Sequence, residues 1–194
     1  MKIRTIAAAC ALATLGTTAF AQAYVGLSLG SGHASNICSF GTGCKDNAVA
    51  GKALAGYAFA GADFALEGIY TRLGTFSDRS AQGNADAKID MFGVGGAWRP
   101  QFGAGWGGVV RAGAAYANVK TAFSQSSQAA AGTPVLIHTS SSSNDAWHPY
   151  VGIGATYAIT PNLRLEADLD ATRVGATNAV STVHAFMLGA TYGF

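Results

Sequence analysis

The chain has 194 residues, a formal net charge of +2 and only 11% charged residues, set against 26 glycines and four prolines. A balance so close to neutral argues against nucleic acid as a partner. A charge content below half the usual quarter is an odd surface for a water-soluble domain, and the length suits one domain of ordinary size.

The chain opens on a targeting pattern. Lys2 and Arg4 precede the apolar run IAAACALATL, and Ala19-Phe20-Ala21 is a small-x-small cleavage site. Residues 1–21 are therefore read as a signal peptide and 22–194 as the exported domain. The run is too short to cross a bilayer as a helix, and Cys10 within it is read as discarded with the leader. The exported part keeps Cys38 and Cys44 in NICSFGTGCKD. Export leads to an oxidising compartment, so these two are expected to form a local disulfide, with Gly41 and Gly43 easing the bend. A metal site is the rival, but two thiols and the nearby His33 fall short of a four-ligand zinc set.

No apolar run of about 18 residues follows the leader, so a spanning helix is not expected. Eight strand-like segments are predicted instead, near 23–32, 51–59, 63–76, 88–99, 107–119, 147–158, 163–173 and 182–194. Short connections (Ala60-Gly61-Ala62, PQFGAGW and ITPN) alternate with longer polar ones at 33–50, 77–87, 120–146 and 174–181. That regular alternation predicts an all-β, eight-stranded antiparallel up-and-down transmembrane β-barrel, with short turns on the periplasmic side and longer loops outside. Within the third long connection, SQSSQAAAGTPVLIHTSSSSND is low in complexity and the least expected to hold one conformation.

The seventh segment shows the two faces most clearly. In LRLEADLDATR, Leu163, Leu165, Ala167, Leu169 and Ala171 alternate with Arg164, Glu166, Asp168, Asp170 and Thr172, the period of two that marks a strand. Other strands repeat the pattern. Ala53, Ala55, Tyr57 and Phe59 lie opposite Lys52; Phe64, Leu66, Gly68 and Tyr70 opposite Glu67; Val110, Ala112, Ala114 and Tyr116 opposite Arg111. In the last strand Phe186, Leu188, Ala190, Tyr192 and Phe194 lie opposite Met187, Gly189, Thr191 and Gly193. The large apolar side chains keep to one face and small or polar ones to the other, whereas a soluble sandwich needs its inner face filled with bulk.

Aromatic residues also gather at strand ends: Tyr24, Tyr57, Phe59, Phe64, Trp98, Phe102, Trp106, Tyr157, Tyr192 and Phe194 near the short turns, and Tyr70, Phe76, Tyr116 and Trp147 near the other end. Two such girdles mark membrane interfaces. The leucines are thus expected to face lipid. The inward set is then Lys52, Glu67, Arg99, Arg111, Arg164, Glu166, Asp168 and Asp170, four bases against four acids, with Arg99 and Asp170 placed at the rims. Balance is what buried charges need, since an unpaired one is strongly destabilising.

The chain resembles the OmpA-like small outer-membrane β-barrel family. The resemblance runs over 22–194 and is carried by YVGLSLG, GKALAGYAF, FALEGIYTRLGTF, YVGIGATYAIT, LRLEADLD and the terminal LGATYGF. It implies the outer membrane of a Gram-negative bacterium, outer-membrane lipid as the surrounding partner, and a final strand with Tyr192 and Phe194 as the signal read by the barrel-assembly machinery during insertion. It does not imply a peptidoglycan-binding domain, because the alternation ends with the chain. None of these motifs is catalytic.

The reading of function is a non-enzymatic integral barrel with a structural or surface-interaction role, a monomer without cofactor. A narrow pore is the alternative, and a lipid-modifying enzyme a third. For the enzyme, His138 and Ser140 are the only close base–nucleophile pair, and they sit in a low-complexity segment with no acid fixed nearby, although nucleophilic catalysis needs its base held by a third group. His148 and His184 have no serine beside them on the same strand face. Phosphate loops, metal-binding histidine pairs and nucleotide fingerprints are absent from the sequence, which names no surface ligand.

Overall fold

The computed structural model describes residues 21–35, 43–80, 83–126, 137–176 and 179–194. Nine strands are formed: β1 Ala21–Ala34, β2 Asn47–Phe59, β3 Phe64–Ser80, β4 Gly83–Trp98, β5 Gln101–Gly103, β6 Trp106–Ser126, β7 Ile137–Ala158, β8 Leu163–Ala176 and β9 Ala179–Gly193. β5 is a three-residue piece inside the turn between β4 and β6. The other eight are antiparallel neighbours in chain order, and the ring closes where β1 pairs with β9. The fold is therefore all-β, a closed eight-stranded up-and-down barrel. Closure leaves no strand edge at bilayer depth, where hydrocarbon offers backbone groups no partner.

The short turns fall at 60–63, 99–105 and 159–162, as the sequence leads one to expect. Gly61, Gly103 and Gly105 take positive φ there, and Ala104 joins them at 52°, the left-handed region that favours glycine. The outer connections differ from expectation. Residues 77–87, 120–146 and 174–181 are not mostly loop: β3 and β4 stay paired out to Ser80–Gly83, β6 and β7 to Ser126–Ile137, and β8 and β9 to Ala176–Ala179. Above the membrane a ladder can have water on both faces, so it shows no apolar alternation to betray it. Cys38 and residues 1–20 lie outside the described residues, and with them the disulfide and most of the expected leader.

The lipid face is the expected one. Leu27 and Leu29 are 72% and 71% exposed, and Val151, Ile153, Leu165, Leu169, Phe186 and Leu188 share their side. At the outer end Tyr70, Phe92, Tyr116 and Trp147 occupy one continuous row of register across β3, β4, β6 and β7. At the other end Tyr57, Phe59, Phe64, Trp98, Phe102, Trp106, Tyr157, Tyr192 and Phe194 are exposed. Two expected girdle residues are not in it. Tyr24 and Phe76 are buried, at 7% and 0%. Tyr24 follows the parity of its strand, whose odd residues Val25, Leu27 and Leu29 face lipid. Phe76 is turned inward by a register shift between Leu73 and Thr75, since a β-bulge inverts the alternation beyond it.

The inner face is also less polar than expected. Ala34, Ala50, Leu73, Phe76, Ile89, Met91, Ala117, Val174, Val183, Ala185 and Met187 form one buried cluster. Tyr24, Leu54, Ala65, Ile69, Ala97, Val109, Ala115 and Tyr150 form a second. An eight-stranded barrel is narrow enough for its own side chains to fill, and here aliphatic groups do much of the filling.

Candidate functional site

β8 brings the acids. Its alternation turns Glu166, Asp168 and Asp170 inward, and all three are buried. β2 contributes Lys52, β3 Glu67 and β6 Arg111, from the same inward parity. Arg99 reaches in from the turn after β4. Arg111 lies at the centre: Nε is 2.5 Å from Glu67, one terminal nitrogen 2.5 Å from Glu166 and the other 2.8 Å from Asp168. Lys52 Nζ is 2.6 Å from Asp168 and 2.9 Å from Asp170. Arg99 spans Glu67 at 2.9 Å and Glu166 at 2.8 Å.

Seven of the eight inward ionic residues expected from sequence thus meet in one network: Lys52, Arg99 and Arg111 with Glu67, Glu166, Asp168 and Asp170. Asp170, expected at a rim, is buried with the rest. Arg164 takes part in none of the ion pairs among the described residues. It is half-buried and lines a cavity of about 190 Å³ at the short-turn mouth, together with Tyr24, Asp63, Arg99 and Asn162. The network alone holds three cations against four carboxylates, so Arg164 at the mouth supplies the fourth positive charge nearby.

Two network members escaped the sequence reading. Tyr24 donates its hydroxyl to Glu67 at 2.6 Å, and Tyr150 donates to Asp170 at 2.6 Å. Arg99 also stacks over the Tyr24 ring, 4.8 Å from its centroid. Strand parity was the signal for both, because Val25 beside Tyr24 and Val151 beside Tyr150 face lipid. Glycines make the room. Gly152 and Gly154 of β7 stand opposite Asp170 and Asp168 in register, and a Cβ at either would collide with the carboxylate it faces. At Gly56 a Cβ would run into the Tyr24 ring.

Chemically the arrangement is a set of saturated charge-assisted hydrogen bonds, which are short and strong when buried. Every carboxylate in it is paired with at least one cation. Of the residues weighed for catalysis, Ser140 and His184 are exposed on β7 and β9, far apart in register, and the side chain of His138 lies outside the described residues. His148 is half-buried on β7. Tyr192 and Phe194, weighed as the assembly signal, lie on the lipid side with rings 5.4 Å apart and edge to face. Among the described residues no group of three or more His, Cys, Asp or Glu gathers as for a metal.

The comparisons with known proteins agree with this geometry. The family described as outer membrane protein beta-barrel domain matches residues 5–194. No curated protein matches the chain. Among solved structures the chain is similar to Neisserial surface protein A, at 19% identity and a TM-score of 0.61, covering 89% of this chain and 97% of that one. It is similar to a major outer membrane protein from Thermus thermophilus, at 13% identity and 0.62, covering 90% and 99%. A third is Ail, the attachment invasion locus protein of Yersinia pestis, at 16% identity and 0.55, covering 89% and 98%. At these identities the likeness is one of fold.

Proposed function

The chain belongs to the outer membrane protein beta-barrel domain family and so to the outer membrane of a Gram-negative bacterium; from that premise we propose that it is a closed, non-enzymatic barrel that works through its outer surface. One observation carries the reading. The lumen is blocked twice in series, by the ion network and by the apolar layer of Leu73, Phe76, Ile89 and Met187, each at most 1% exposed. Water-filled passage would need both layers opened, and saturated buried ion pairs cost several kcal/mol to break. What remains free to meet a partner is the sheet that β3, β4, β6 and β7 raise beyond the outer aromatic row.

Planar-bilayer recording of the refolded barrel tests the closed lumen. No discrete conductance steps are expected, and reproducible unitary steps would replace this reading with the narrow pore. Lipid A extracted from cells with and without the protein should have the same mass; an acyl chain gained or lost would make the barrel an enzyme.

A further inference from the structure

β1 and β9 form the seam of the barrel, and their register sets His33 directly opposite His184. Both side chains are exposed and lie on the outward face. Going down that face from the histidines, the next opposed pairs are Ser31–Phe186 and Leu29–Leu188. The two imidazoles therefore stand just past the outer end of the lipid-facing band, within reach of water.

Directly opposed residues of an antiparallel pair have Cβ atoms about 4.5–5.5 Å apart. Two imidazoles on such a pair can turn a nitrogen each toward one ion, with metal–nitrogen bonds of about 2.0–2.1 Å as for zinc. The surroundings favour that use. Asp46 places Oδ2 3.5 Å from Nδ1 of His33. Its other oxygen accepts from Asn47 Nδ2 at 2.8 Å, and its carbonyl accepts from the Ala34 amide at 3.0 Å. At that distance the carboxylate is a charge neighbour of Nδ1 and not its hydrogen-bond acceptor, and it leaves Nε2 as the nitrogen turned away from it.

We propose that His33 and His184 form a site for a divalent transition-metal ion, with Asp46 as the carboxylate behind His33. Two neutral imidazoles suit the borderline ions Cu²⁺, Ni²⁺ and Zn²⁺, and not Mg²⁺ or Ca²⁺, which take oxygen ligands. No group of three or more His, Cys, Asp or Glu gathers for a metal among the described residues, so Asp46 is not counted as a ligand and water fills the positions that the two imidazoles leave. The site is consequently an open, exchangeable one at the cell surface, unlike a closed structural centre.

The test is calorimetric titration of the untagged, refolded full-length mature barrel in detergent micelles, with CuCl₂, ZnCl₂ and MgCl₂. One equivalent of Cu²⁺ is expected to bind, Zn²⁺ more weakly in keeping with the usual order of divalent affinities, and Mg²⁺ not at all. His33→Gln and His184→Gln should each lower Cu²⁺ affinity at least tenfold. Asp46→Asn should lower it by about tenfold or more, and His148→Gln should leave it unchanged. In the wild type, Zn²⁺ should shift the ring resonances of His33 and His184 together, a readout that needs no variant to fold. Absence of saturable Cu²⁺ binding, binding that survives either histidine substitution, or a shift at only one of the two rings overturns the proposal.

Discussion

Arg111 makes three ion pairs, while Asp168 is shared between Arg111 and Lys52, and this difference sets how each can be lost. Removing Arg111 leaves Lys52 and Arg99 to hold four carboxylates, so Arg111→Leu is expected to cost about 3–5 kcal/mol, the range for breaking a buried pair. Removing Asp168 leaves Lys52 with Asp170 and Arg111 with Glu67 and Glu166. Asp168→Leu is then expected to cost only about 1–3 kcal/mol, as for a lost buried hydrogen-bond partner. The temperature at which each barrel loses its fast migration on an unboiled detergent gel orders them, and an equal or reversed order would contradict the shared-acid geometry. On the lipid side depth should decide. Leu188 pairs with Leu29 and Ala167 midway along its strand, whereas Leu165 pairs with the girdle residue Tyr157. Leu188→Arg is expected to cost about 2–4 kcal/mol and Leu165→Arg about 0–1 kcal/mol, the fall-off from midplane to interface. Urea unfolding from lipid vesicles measures both.

At the scale of the element, β7 and β8 fit as glycine against acid, with Gly152 opposite Asp170 and Gly154 opposite Asp168. Gly154→Val should push the Asp168 carboxylate away from Lys52 and Arg111 and destabilise the barrel by about 1–3 kcal/mol, the usual penalty of overpacking. Far-ultraviolet circular dichroism during heating checks it, and a barrel as stable as the wild type would mean that β7 leaves more room than the register implies. The acids of β8 were legible in the sequence because they alternate with leucine over eleven residues, and parity alone turns them inward. Tyr24 was equally legible by parity, but its place near a strand end suggested the girdle instead. Phe76 was not, because the shift at Leu73–Thr75 leaves no mark in the residue pattern and reverses the side it faces. The pairing of His33 with His184 needed register between the first strand and the last, which no local pattern supplies.

For the molecule as a whole, the number of strands and the short turns followed from alternation, while the height of the outer sheet did not. A strand facing lipid must be apolar on one side, so the membrane writes its own period into the sequence. Ser140, Ser141, Ser142 and Ser143 are all exposed although successive strand residues face opposite sides, and a ladder in water needs only its backbone bonds. The sheet divides at the outer rim: β7 and β8 pair no further out than Tyr150–Thr172, while β6 and β7 continue to Ser126–Ile137. Ten residues of β7 outside Trp147 rise about 33 Å along the strand at the usual 3.3 Å each. The outer aromatic row and Phe76 lie beyond that division on the β3, β4, β6 and β7 side, but no further out than the row of Thr121 and Ser142, so a barrel cut back to that row keeps them with the ion network and should fold without the rest of the extension. Thr121 and Ser142 are opposed in register, and replacing residues 122–141 by Asn-Gly joins them through the turn that best suits a two-residue hairpin. The shortened barrel is expected to assemble in the outer membrane, to keep the heat-dependent gel shift of the full chain, and to lose any binding to surface partners. Failure to assemble would show that the outer sheet helps to close the barrel, and binding retained after the cut would move the contact surface to the β1, β2, β8 and β9 side of the rim.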